Sequence, residues 1–191
     1  MSRELQRAGA GLPALETALI KGLLTFRSAF TSQKRNLGRF KQESQLLCQF
    51  AEDTDIGLAS QVQLIPRLMG LEDSSRNWSL LMVLEHLWMV NSDILKIVEA
   101  LGRDVSPRGV LDIADYKPDP DVGIDVLDRF RMVNRDLEIE IRRRQKTRTV
   151  AQMQHPWFGR LDAHGWLCLA AMHQRLHRRQ AQKILAMIGR V

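Results

Sequence analysis

Two observations in the sequence predict an all-α protein built as a bundle of amphipathic helices. Apolar residues recur at intervals of three and four over four long stretches, from Ala14 to about Asp53, Asn77 to Leu101, Gly123 to about Lys146 and Asp162 to about Ile188. Between the second and third lies a segment, 102–122, in which Pro107, Gly109, Pro118 and Pro120 stand among aspartates and prevent a regular helix. At about 3.3 Å per extended residue this connection outreaches a 25-residue helix rising about 1.5 Å per residue, so the helices it joins are free to run parallel through a crossover.

The first stretch opens at Pro13, which suits a first-turn position, and continues through Leu15, Leu19, Leu23 and Phe26, then more sparsely through Phe30, Leu37 and Phe40, as one long helix or two. Residues 54–76, with Gly57, Pro66, Gly70 and three serines, read as a short helix or a packed loop between Ala59 and Met69. From Asn77 to Leu101 the helix is apolar on most sides, which marks it as the most buried, and Gly102 stops it. The third stretch has one solvated face and an inward stripe of Leu127, Phe130, Val133 or Asn134, Leu137 and Ile141. Pairs Asp125/Arg129 and Glu138/Arg142 support it at i,i+4, and its closing run Arg142, Arg143, Arg144 and Lys146 either suits a helix C-terminus or forms an anion-binding patch, the former being the expectation. A second connection, 148–161, precedes Asp162, the expected cap of the last helix.

A chain of 191 residues can bury a core without staples, and one domain is expected over residues 13–191, preceded by a flexible arm, 1–12, that contains Gly9 and Gly11. With 45% hydrophobic and 26% charged residues the composition is that of a folded globular protein. Apolar runs stop well short of the roughly 18–20 residues of a membrane span and no secretory leader is recognisable, so a cytoplasmic protein with no membrane association is expected. Cys48 and Cys168 form no CxxC and are expected to be half-buried thiols. The net charge of +6 and pI near 9.8 favour acidic partners in general, but one tyrosine and the absence of a reading motif argue against nucleic acid. A homodimer is expected, given the apolar N-terminal helix and the prevalence of two-fold pairs.

The chemistry-bearing pattern is in the histidines. The inward stripe of the last helix reads Trp166, Leu169, Ala170, His173, Leu176, His177, Gln180, Ile184 and Met187, with Arg175, Arg178, Arg179 and Gln182 on the other side. Imidazoles at i and i+4 start from Cβ atoms about 5–6 Å apart and can share one ion. His86, among Met82, Val83, Met89 and Val90, also faces an apolar interior. Either it is a core histidine bonded to a carbonyl or to Asp93, or it is a third ligand; burying three imidazoles without a shared partner costs about 1–3 kcal/mol each, whereas one ion satisfies all three. Around this site, Gln180 is either a pocket residue or the polar end of a core. Glu85 points about 100° away from His86 into a solvated or interhelical role. Asp93 is the expected orienting partner of His86, His155 reaches the pocket mouth or merely builds an HP turn, and His164 is expected on the surface.

Three segments together resemble the DinB/YfiT-like superfamily: Asn77-Trp78-Ser79 through Glu85-His86-Leu87, His155-Pro156-Trp157-Phe158-Gly159-Arg160-Leu161, and Trp166-Leu167 leading to His173-Gln174-Arg175-Leu176-His177-Arg178-Arg179-Gln180. The resemblance spans about 78–186 and does not extend to the segment before residue 60. It implies a four-helix bundle of up-down-down-up topology whose second and third helices are joined by the long crossover, with an N-terminal helical extension. It also implies a metal triad of His86, His173 and His177. A divalent ion, zinc ahead of nickel and iron, is the implied cofactor, and metal binding is expected to weaken as histidines protonate below about pH 6–6.5. The implied function is a metal-dependent transferase or hydrolase for a small, thiol-conjugated type of substrate; the alternative is a non-catalytic metal-binding or dimerising helical module.

Overall fold

Ser32 divides the first apolar stretch into two helices. Thr31 is extended, with φ −113° and ψ 143°, and the Ser32 hydroxyl accepts the Arg35 amide at 3.2 Å, so helix α1 (Ala14–Phe30) ends and helix α2 (Gln33–Glu52) begins within two residues. The structure, a computed structural model, describes residues 5–189; residues 1–4 of the expected arm, and residues 190–191, lie outside the described residues. The segment left open by the sequence contains a one-turn helix α3 (Ile56–Ala59), a strand β1 (Gln63–Leu64) and a 3-10 turn (Asp73–Arg76). Asn77–Trp78 is not the start of the central helix but strand β2, paired antiparallel with β1. Ser79 then caps helix α4 (Leu80–Leu101) by accepting the Met82 amide at 3.2 Å. The crossover holds one 3-10 turn (Ile113–Tyr116) before helix α5 (Val126–Arg142), which is shorter at both ends than its charge pattern suggests. A small hairpin, β3 (Met153–His155) and β4 (Gly159–Leu161), leads to Asp162, whose carboxylate accepts the Gly165 amide at 2.7 Å and opens helix α6 (Ala163–Met187).

Side-chain pairs along the helices fix their directions. Glu85 near the start of α4 lies 3.7 Å from Arg129 near the start of α5, and Arg144, just past the end of α5, donates to the Glu99 carbonyl near the end of α4 at 3.3 Å, so these helices run parallel. Asn36 donates to Cys168 at 2.8 Å and Glu43 pairs with Arg178, which makes α2 parallel to α6. Gln33, at the start of α2, donates to the Ile141 carbonyl near the end of α5 at 2.9 Å, and Glu52 at its end pairs with Arg131, so α2 and α5 are antiparallel. The protein is therefore an up-down-down-up bundle of α2, α4, α5 and α6, with α1 as an added helix packed on α6. The basic run after α5 is taken up structurally: Arg142 pairs with Glu138 at 2.7 Å, and Arg143 and Arg144 both pair with the buried Glu140.

Two apolar layers fill the bundle, one around Phe40, Ile94, Leu137 and Trp166, the other around Leu47, Leu87, Phe130 and Ile184. Between them, one turn from these residues on α2, α4 and α5 and midway along α6, lies a polar layer. Asn134 Oδ1 accepts from Asn91 Nδ2 at 2.8 Å and from Gln174 Nε2 at 3.3 Å; Gln174 Nε2 also reaches Ser44 Oγ at 3.0 Å, and Ser44 donates to the Phe40 carbonyl at 2.8 Å. All four bundle helices are joined through this layer.

Several expectations are corrected. The stripe Leu15, Leu19, Leu23, Phe26 and Phe30, read from the sequence only as a helical spacing, faces outward: α1 is a fifth helix laid on α6 by its opposite face, with Leu24 and Glu16 buried. Glu16 is held there by the Gly70 amide and Arg67. Met187 is exposed because Ile184 and Leu185, with Ile188 beside them, turn the packed face of the last turn of α6 away from it, whereas Arg178, placed on the outer face, turns to Glu43. Residues 5–12 lie along the protein surface, with the Gly9 and Gly11 amides donating to Glu72 at 3.3 and 2.7 Å and the Gln6 amide donating to Asp73 at 3.1 Å. Both glycines have positive φ, 77° and 85°, which turns their amides toward one carboxylate at little steric cost. Among the described residues no helix is long and apolar enough to cross a membrane.

Because Asn134 Oδ1 takes two buried donors, Asn134→Ala should destabilise the protein by about 2–3 kcal/mol, while Met132→Ala, on the exposed face of α5, should be nearly neutral. Chemical denaturation of the two variants beside the wild type measures the difference.

Candidate metal centre

His86 lies in the second turn of α4 and His173 and His177 lie midway along the antiparallel α6, so the bundle brings the three rings to one level. His86 Nε2 is 3.3 Å from His173 Nε2, and His177 Nε2 is 3.0 Å from the same atom. One potential ligand atom from each ring falls within 4.8 Å of the others. His177 is buried; His86 and His173 keep a little accessible surface because they face a cavity.

The orientation of two rings is determined by what their other nitrogen does. His86 Nδ1 donates to the Tyr116 carbonyl at 2.7 Å, which places the ring proton there and leaves Nε2 a lone pair. His177 Nδ1 donates to Gln180 Oε1 at 2.7 Å, and Gln180 is itself oriented because its Nε2 donates to the Ser75 carbonyl at 2.6 Å. Two lone pairs thus converge on His173 Nε2. A proton on that atom can serve only one of them, and His173 Nδ1 is buried without a hydrogen-bond partner. Trp78, on β2, closes one side, with its ring stacked 6.0 Å from His177 and tilted 5.0 Å from His86.

Burial favours the neutral form of every ring in this group. It lowers the His86 pKa to about 4, against a smaller opposing effect of the Tyr116 carbonyl. Burial, and then the neighbouring imidazoles, hold His173 and His177 well below the ordinary histidine range. At neutral pH the cluster presents uncharged nitrogen donors, the form in which imidazole ligates metals. Two nitrogens sharing one ion at bonds of about 2.0–2.1 Å stand about 3 Å apart, and the two short separations fit that requirement.

Above the triad is a cavity of about 410 Å³, lined by all three histidines, by Trp78, Tyr116, Trp157 and Trp166, and by residues of α1. His155 belongs to it and also builds its turn: Nδ1 accepts the Trp157 amide at 3.1 Å while the ring stacks on Phe158 at 4.6 Å, and burial lowers its pKa to about 4. Gln180 is a partner of the site rather than the frayed end of a core.

Asp93, expected to orient His86, does not reach it. Two helical turns, on the order of 10 Å, separate them. Asp93 instead accepts the Tyr116 hydroxyl at 2.8 Å and pairs with Lys96, so it fixes the residue whose backbone orients His86. Glu85 is buried in an interhelical role, accepting the Asp119 amide at 2.7 Å beside Arg129. His164 is not on the surface. Its Nδ1 meets Thr147 Oγ1 and its Nε2 the Thr31 carbonyl, each at 3.0 Å, which ties the α1–α2 corner to α6, and Cys168 one turn on is fully buried rather than half-buried. Tyr116 and Ser75 act through backbone carbonyls and carry no side-chain signal for this role in the sequence.

No protein-family model and no curated protein matches the chain. Among solved structures it is similar to TT2238, described as a four-helix bundle protein, with 22% identity and a TM-score of 0.53 over 79% of this chain and 98% of that one; the likeness is one of fold.

Proposed function

We propose that the protein is a metal-dependent enzyme of the DinB/YfiT-like class, in which His86, His173 and His177 hold one divalent ion through their Nε2 atoms. Zinc is the first candidate, with nickel and iron as the other ions that imidazole accepts. The observation that carries this reading is the pair of committed Nδ1 protons, on His86 and His177, which leaves two lone pairs directed at a third imidazole. An ion bound there would supply a Lewis acid for a water molecule, a thiolate or a carbonyl in the cavity. The protein's own residues then have defined tasks. The Tyr116 carbonyl and Gln180 hold the ligands in one tautomer, Trp78 shields them from water, and the cavity accepts a small molecule, consistent with a transferase or hydrolase acting on a thiol-conjugated type of substrate. His155 accepts at Nδ1, so its proton is on Nε2, a donor for a substrate oxygen.

A non-catalytic metal-binding module is the second reading. It is favoured by the carboxylates nearest in sequence to His86: Glu85 is engaged by Asp119 and Arg129, and Asp93 by Tyr116 and Lys96, which leaves neither as a free base. That reading predicts metal-linked stability without turnover.

Protein purified without a histidine tag should contain or take up close to one equivalent of zinc, nickel or iron by elemental mass spectrometry, and the His173→Ala/His177→Ala double variant should take up less than a tenth of that. Failure of the wild type to bind any of the three would remove the proposal.

The pH dependence follows from the direction of the shifts. Each buried histidine has a lower pKa folded than unfolded, so as pH falls below about 6.5 the unfolded chain binds protons first and the metal-free protein loses stability, by up to about 1.4 kcal/mol per pH unit per histidine, until the folded-state values are reached. For the same reason proton competition with metal should begin nearer the value of about 4 held by His86 than at pH 6–6.5, as competitive chelator titrations between pH 7.5 and 4.5 would show.

A further inference from the structure

We propose that the cavity over the histidine triad takes an amphipathic organic anion, an apolar body carrying one carboxylate-like group, and that Arg27 on α1 receives the anionic end. This deepens the reading of the cavity as the substrate site and rests on it. The cavity wall is largely apolar, with Ile20, Ile94, Ile97, Leu111, Leu169 and Met172 among its residues. Its charged residues are unbalanced. Arg27, Lys117, Arg175 and Arg179 line it and none has a carboxylate partner among the described residues. Of the two acids present, Asp93 is engaged by Tyr116 and Lys96, and Glu72 by the Gly9 and Gly11 amides.

Arg27 is half-buried, and its guanidinium is disfavoured by that burial and then by Arg39 and Arg175 nearby. Four cations against two acids, both acids already engaged, leave the apolar cavity with a positive field that a bound anion relieves, and a guanidinium matches a carboxylate with two parallel donors. The bundle does not need this charge at Arg27 for any ion pair, so its placement is accounted for by a ligand.

The test uses metal-free full-length protein, with octanoate and 1-octanol as probes, followed by calorimetry. Octanoate should bind at least tenfold more tightly than octanol, and Arg27→Gln should remove most of that preference while leaving the metal stoichiometry unchanged. Arg175→Gln, at an exposed position that does not threaten folding, should weaken octanoate several-fold. Equal binding of the two probes, no binding of octanoate, or an Arg27→Gln variant that is correctly folded by circular dichroism and binds octanoate normally would overturn the inference. Loss of this inference with metal binding intact leaves the metal-site proposal standing; absence of metal uptake with the octanoate preference intact removes only the latter.

A second inference stands on a different observation. We infer that the outer face of α1 pairs with the same face of a second copy of this chain. Leu15, Leu19, Leu23, Phe26 and Phe30 are 74, 57, 49, 61 and 72% exposed, and Phe26 and Phe30 lie against each other at 4.7 Å. With Ala18, Gly22 and Ala29 they form an uncharged arc of about 140° around the helix, wider than the stripe of about 100° with which a helix usually meets its core. A Cβ added at Gly22 would meet nothing within 4 Å, although glycine costs a helix interior about 1 kcal/mol relative to alanine.

The exposed side chains amount to on the order of 500 Å² of contiguous apolar surface, and two such faces reach about 1,000 Å², where specific interfaces begin. The face is self-complementary. A two-fold axis near Gly22 sets the helices antiparallel and brings the phenylalanines of one copy against Leu15 and Leu19 of the other, with the small residues admitting close approach. A lipid surface fits less well, since α1 is fixed on α6 by Leu24 and Glu16.

Sedimentation velocity on the full chain at about 1–100 µM should give twice 21.9 kDa, and Leu19→Glu/Phe26→Glu should give 21.9 kDa with an unchanged helical circular dichroism spectrum. A monomeric wild type throughout this range, or a dimer that survives both glutamates, would overturn the pairing. A monomer that co-sediments with vesicles of equal phosphatidylcholine and phosphatidylglycerol would also overturn it and give the face to a membrane surface.

Discussion

Four helices meet around one amide oxygen. Asn134 Oδ1 accepts from α4 and α6, and Gln174 carries the connection on to Ser44 of α2. A purely apolar bundle can slide by a turn, because one leucine layer fits much like the next. Hydrogen bonds do not tolerate such a shift, since an amide displaced by about 5.4 Å leaves its partner buried and unpaired. The polar layer therefore sets the axial alignment of α4 against α6. His86 and His173 lie on those same two helices, and their 3.3 Å separation follows from that alignment.

The tautomers of the triad depend on the periphery of the bundle in turn. The acceptor for His86 belongs to the crossover, and the acceptor for His177 is steadied by Ser75 in the turn before β2. Neither element belongs to the four-helix frame. The long connection thus has two roles, allowing α4 and α5 to run parallel and supplying the carbonyl that determines which nitrogen of His86 is free. Asp93, by holding the Tyr116 hydroxyl, keeps that carbonyl in place from the side of α4 itself.

Much of this was legible in the residues. The spacing of His173 and His177, the inward phase of His86 and the proline-rich crossover all depend on local periodicity, and each is realised in the bundle. Periodicity states that a stripe is apolar but not what covers it, and α1 shows the difference: its regular leucines and phenylalanines mark a helix correctly while facing outward. His164 fails in the opposite sense. Its first-turn position looks peripheral, yet the α1–α2 corner folds over it with the Thr31 carbonyl, and the connection after α5 adds the Thr147 hydroxyl. The backbone acceptors Tyr116 and Ser75 could not be read at all, because a carbonyl is common to every residue and only the fold selects which one is used.

The course of residues 5–12 affects how the protein can be handled. Glu72 anchors the Gly9 and Gly11 amides, and Ala8 lines the cavity that contains the histidines. A peptide fused to the N-terminus is tethered to that opening through residues 5–12. An N-terminal affinity tag would bring a high local concentration of foreign side chains to the mouth, and a polyhistidine tag in particular would bring competing imidazoles. Fusion at the other end of the chain avoids that geometry.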